Sequence, residues 1–114
     1  MRWEYLLHLL VKQDKKDLPT AFIADNDIIA LGAMNAIKQV GIKIPEEVSL
    51  IGLDDRPFCT IMSPQLTTVK VYKKEIGRQA VKMVVEKIKK ESEFSRTVLV
   101  DTILIERESV KQIK

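Results

Sequence analysis

The chain has 114 residues and a formal net charge of +3, with 46% hydrophobic and 31% charged residues. That composition reads as a soluble, globular protein with enough apolar material for a core, and it excludes the disordered and fibrous classes. A single cysteine, Cys59, and a single histidine, His8, exclude an internal disulfide framework, a cysteine-rich zinc site and a catalytic pair of histidines.

Trp3, Leu6, Leu7 and Leu10 recur at steps of three and four, so residues 2–16 read as an amphipathic helix that Asp17-Leu18-Pro19 stops. Residues 20–24 form a short apolar run between Pro19 and an acidic turn, which reads as a buried strand. Asp25-Asn26-Asp27 then offers helix-capping side chains ahead of a helix over 28–40, which Gly41 ends. Residues 48–53 form a second buried strand, also ending in acids, Asp54 and Asp55. Residues 56–66 are irregular, with Pro57 and Pro64. The β-branched stretch 67–71 reads as a third strand. A helix over 73–90 carries an apolar stripe of Ile76, Ala80, Met83, Val84 and Ile88, and 98–106 reads as a last strand before a polar tail. Strands alternating with helices predict an α/β fold, three layers deep, around a mainly parallel sheet.

The basic residues are interleaved with acids along the helices, as on solvated faces, so the positive charge is weak evidence for nucleic-acid binding. No apolar run is long enough to span a bilayer, and no signal peptide opens the chain, which makes the cytoplasm the expected compartment. Open parallel sheets bind ligands beyond the carboxyl ends of their strands. Asp25-Asn26-Asp27 and Asp54-Asp55 stand at two such ends and are expected to face one cleft, where carboxylates and amides suit a hydroxyl-rich ligand. Asp25 and Asp27 read equally well as caps, and Asp55 as a turn residue. Asn26 and Asp54 are the stronger site candidates. His8 and Cys59 have no neighbouring partners that would make a metal or nucleophile site, and the four glycines form no phosphate-cradling loop. Phe58, Ile61 and Met62 crowd the irregular segment, either plugging the core or forming an apolar patch.

Three motif blocks then combine. They are Pro19–Asp27 followed by Ala30-Leu31-Gly32-Ala33-Met34, the run Gly41–Asp55, and Pro64-Gln65-Leu66-Thr67-Thr68-Val69 followed by Gly77 and Ala80. With the closing Leu104–Ser109, this series resembles the effector-binding region of the LacI/GalR family of bacterial transcription regulators, in order and spacing from about residue 4 to residue 109.

The resemblance implies a periplasmic-binding-protein type I fold, in which two hinged α/β lobes close on a sugar or another small metabolite. It implies that residues 1–66 are part of the C-terminal lobe, 67–71 the crossing between lobes, and 72–114 the helix and strand of the other lobe. It implies effector contacts at Asn26 and Asp54, joined by Lys73 and Ile76 from the other lobe, and a hinge at Thr67 and Thr68. It implies a homodimer through Leu31, Met34, Phe58, Ile61 and Met62. It implies no catalytic residue, cofactor, metal or membrane contact, so the protein would not be an enzyme. The family's N-terminal helix-turn-helix and most of its first lobe have no counterpart here. The chain therefore looks like a fragment, which would reach operator DNA only through an N-terminal domain it does not contain. A sugar-binding protein for uptake and a flavodoxin-like signalling domain are the competing readings.

Overall fold

The structure, a computed structural model, describes residues 3–113, without the side chains of Trp3, Glu4 and Leu7. The expected start of the first helix at residue 2, and the Trp3 and Leu7 members of its stripe, lie outside the described residues. The elements in order are α1 (Trp3–Lys12), β1 (Ala21–Ile23), α2 (Asp27–Gln39), β2 (Ser49–Leu53), β3 (Thr67–Val71), α3 (Lys73–Ile88) and β4 (Thr102–Ile105). Short 3-10 turns occupy Lys15–Asp17 and Pro57–Thr60. The sheet runs β1-β2-β3-β4, and β1-β2 and β2-β3 pair in parallel, which is the expected α/β arrangement.

The chain divides into two compact units. The first takes the residues up to Lys70 and those from Leu104 onward, and the second takes Val71–Ile103. In the first unit α1 packs on α2, and α2 on β2. Ala30, Ala33, Met34 and Ile37, at helical spacing on α2, are buried with Leu10, Val48, Leu50 and Leu66. Gly41 follows α2 at φ 74°, a left-handed position that glycine takes without a Cβ clash. β1 departs from the buried strand expected of an apolar run. It lies at the edge of the sheet, where Ile23 is 81% exposed, and burial begins only at Ala24.

The tail is polar in sequence, and residues from Leu104 belong to the first unit. The cause is a set of hydrogen bonds on Ser109, which is fully buried. Its backbone accepts from the Leu50 N–H at 2.9 Å and donates to the Gln65 carbonyl at 3.0 Å. Its hydroxyl donates to the Leu50 carbonyl at 2.6 Å and accepts from the Thr67 N–H at 2.8 Å.

In the second unit, α3 carries its predicted apolar stripe but has no buried residue. Ile76, Val84 and Ile88 are exposed. An Arg96–Glu86 ion pair ties the segment after α3 back to the helix. The last strand is shorter than the expected 98–106, covering Thr102–Ile105 alone.

Gly52 on β2 is closely packed. A Cβ there would lie 2.2 Å from Asp27 Oδ1 and 2.9 Å from Leu66 Cδ2, both in the interior. Gly52→Ala should therefore destabilise the protein by about 3 kcal/mol, the upper range for overpacking a filled core. Urea unfolding checks this, and an unchanged midpoint would contradict the packing.

Candidate functional site

β1 and β2 align Ile23 with Ile51, and Asn26 and Asp54 each lie three residues beyond that pair. The two strand ends therefore stand side by side at the carboxyl edge of the sheet, within the first unit. Asn26 has extended backbone (φ −157°) and caps α2, its side-chain oxygen accepting from the Ile29 N–H at 2.9 Å. That bond satisfies one free donor of the first helical turn and leaves the amide N–H groups uncommitted by the cap.

Asp27 does not face the edge. Its carboxyl is fully buried and accepts from three groups. The Thr68 hydroxyl donates to Oδ1 at 2.6 Å, and the Arg56 N–H and the Cys59 thiol donate to Oδ2 at 2.7 and 3.1 Å. The five polar side chains expected in one cleft are thus fewer. Asp27 joins α2 to the turn after β2 and to β3, and Asp55 is held by Arg107.

That turn has unusual backbone. Asp54 sits at φ 129° and Asp55 at φ 55°, conformations that cost non-glycine residues of order 1–3 kcal/mol each. Several contacts hold it. The Asp54 N–H donates to the Val69 carbonyl at 2.8 Å. The Asp55 N–H makes a long contact of 3.4 Å to the Thr68 hydroxyl. Arg107 donates to the Asp55 carboxylate at 2.7 Å, and both side chains are less than one-fifth exposed. Asp54 itself is half-buried.

Lys73 and Ile76, the other expected ligand contacts, are exposed on the first turns of α3, in the second unit. Thr67 and Thr68, expected as a hinge, are buried in the first unit, Thr67 accepting from the Arg107 N–H at 2.9 Å. Of the expected interface residues, Met34 is 2% exposed and Met62 9%, so both fill the core. Leu31 and Phe58 are half-buried against that core. Ile61 is 84% exposed. Sequence reasoning gave Thr68 a hinge role and missed its bond to Asp27, and it gave Arg107 no site role. The β-branched third strand was visible, but nothing local marked which of its hydroxyls faces Asp27.

Among the described residues no three His, Cys, Asp or Glu side chains could hold a metal ion. A cavity of about 370 Å³ between α1 and the C-terminal end of α2, lined by Leu10, Leu18, Val40 and Ile42, lies at the opposite end of that helix from Asn26.

An α/β domain with a parallel sheet and polar groups gathered at adjacent strand ends is a ligand-binding architecture. The chain matches the periplasmic binding protein-like domain over residues 1–110, and it belongs to that family, in its LacI/GalR form. It is 39% identical over 103 residues to the HTH-type transcriptional repressor PurR of Haemophilus influenzae (strain PittEE), covering 87% of this chain and 30% of that protein. A LacI family transcriptional regulator from Arthrobacter sp. FB24, solved in complex with lactose, is similar with a TM-score of 0.77 at 31% identity, over 96% of this chain and 40% of that one. The lac repressor dimer bound to operator and an anti-inducer gives a TM-score of 0.82 at 26% identity, over 95% and 36%. The chain thus spans 30% of the length of the PurR repressor it matches.

Burial, reinforced by the hydrogen bond to Asp27, pushes the Cys59 thiol up to about 12. The thiolate is the reactive form. At pH 8, iodoacetamide should label native Cys59 at least ~100-fold more slowly than the urea-unfolded chain. Comparable rates by mass spectrometry would show that the thiol is not held in this way.

Proposed function

We propose that the chain is the effector-sensing and self-associating region of a LacI/GalR-type transcription regulator, with a sugar as effector. The observation that carries this reading is the pairing of Asn26 and Asp54 at adjacent parallel strand ends. Asp54 offers carboxylate acceptors to ligand hydroxyls, and Asn26 offers amide donors. Lys73 and Ile76 are further contacts on the family's pattern. The lactose complex of the Arthrobacter relative supports a sugar over other metabolites.

Thr67 and Thr68 are the hinge of the lobe crossing at 67–71 on the family's pattern. The role is binding and not chemistry. The repressor relative favours regulation over solute uptake. The buried, triply bonded Asp27 disfavours a phospho-accepting signalling domain, which needs an accessible acid cluster. Operator DNA is contacted by a DNA-binding segment of the whole protein, which places its work in the cytoplasm. No helix among the described residues is long and apolar enough to cross a membrane.

Calorimetric titration of the intact protein with simple sugars (lactose, D-galactose, D-glucose and D-ribose) tests the site. Asp54→Ala should weaken binding more than about tenfold, or ~1.4 kcal/mol, by removing charged hydrogen bonds. Unchanged affinity sinks the assignment.

The homodimer reading rests on exposed Ile61 and on Leu31 and Phe58, half-buried against the core that Met34 and Met62 fill. The solved lac repressor is a dimer. The protein should sediment above monomer mass, and Ile61→Glu should shift it toward monomer, because a charge in an apolar interface stays unpaired. A clean native monomer at high concentration counts against this surface.

A further inference from the structure

We propose that Arg107 is a positioning residue for the effector site, locking through Asp55 the turn that presents Asp54. This rests on the reading of Asp54 as an effector contact. Asp54 and Asp55 lie in succession at φ 129° and 55°, where side chains other than glycine's are crowded. Such a turn persists only when its surroundings over-determine it.

Its two ends are tied by main chain. The Asp54 N–H reaches the Val69 carbonyl at 2.8 Å, and the Arg56 N–H reaches the Asp27 carboxylate at 2.7 Å. Between them, the Asp55 N–H makes a long 3.4 Å contact to the Thr68 hydroxyl. The tight hold on the middle of the turn is the Asp55 side chain, which takes an Arg107 N–H at 2.7 Å.

Arg107 is well placed to act as a fixed post. Its other guanidinium nitrogen donates to the Leu66 carbonyl at 2.8 Å, and its backbone N–H donates to the Thr67 hydroxyl at 2.9 Å. The pair is 15% and 18% exposed, unlike the Lys15–Glu47 pair at 60% and 38%. Sheltered, charge-assisted pairs with fixed geometry hold their partners far better than exposed ones. Releasing Asp55 should let the turn relax and carry the Asp54 carboxylate away from its place beside Asn26.

Amide hydrogen exchange of the intact protein, read residue by residue, tests the hold without a ligand. Exchange at Asp54 and Asp55 should rise at least tenfold in Arg107→Met, fall back partly in Arg107→Lys, and stay at the native rate in Lys15→Met, while α2 keeps its protection throughout. In the same proteins, affinity for whichever of lactose, D-galactose, D-glucose or D-ribose the native protein binds should drop at least tenfold in Arg107→Met and Asp55→Asn. Unchanged exchange at the turn, or an equal rise across α2, overturns the proposal, the second because it would mark general loosening. If exchange behaves as expected but Asp54→Ala leaves sugar affinity intact, the assignment of Asp54 falls and not the hold. Native protein that binds none of the four sugars overturns the sugar reading in the same separable way.

Discussion

The arrangement of the first unit depends on one buried carboxyl. Asp27 opens α2, lies directly beneath Gly52 of β2, and receives donors from β3 and from the turn after β2. Burying a carboxylate costs several kcal/mol, and hydrogen bonds to a charged group return about 1.5–3 kcal/mol each, so three are needed where one would fail. An acid in the first turn is also favoured by the helix dipole. The consequence for function is geometric. The start of α2, the turn after β2 and the side of β3 are tied through this one carboxyl, which fixes the spacing between Asn26 and Asp54. Sites fixed in this way lose less entropy on binding.

A second constraint comes from the end of the chain. Ser109 takes both polar groups of Leu50 and the N–H of Thr67, filling positions between β2 and β3 with side-chain and main-chain bonds from a distant segment. Arg107 adds its bonds to Leu66, Thr67 and Asp55. The chain passes between units at Lys70–Val71 and again at Ile103–Leu104. On the first-unit side, buried and hydrogen-bonded groups stand within a few residues of each passage, Thr67 and Thr68 before the first and Ser109 after the second.

Much of this was legible from the residues. The Asn-Asp cap, the spacing of Ala30, Ala33, Met34 and Ile37, and Gly41 at a left-handed position are local signals, and local physics decides them. Side-by-side strand ends followed from the β-α-β order alone. What periodicity cannot say is what covers an apolar face. The α3 stripe was read correctly as a stripe and stands exposed, and β1 was read as buried and lies at an edge. Met34 and Met62, placed at an interface by the resemblance, are buried in the core of this chain. Asp27 with Thr68, Asp55 with Arg107, and Leu50 with Ser109 are 41, 52 and 59 residues apart. Pairs that distant leave no trace in local spacing, and the groups that fix the site were for that reason the ones sequence reasoning missed.

The cap and the ligand contact need not compete for Asn26. Aspartate, serine or threonine would cap α2 about as well, because the cap needs only a side-chain acceptor. Asparagine alone among these also brings two amide donors, and the cap leaves them unused. Beside it, Asp54 brings acceptors only. A sugar hydroxyl is at once a donor and an acceptor, so a neighbouring amide and carboxylate can engage both of its roles. Two carboxylates at those strand ends would repel each other and could serve only one. On the proposed reading, asparagine at residue 26 serves the ligand in a way that the helix cap alone does not require.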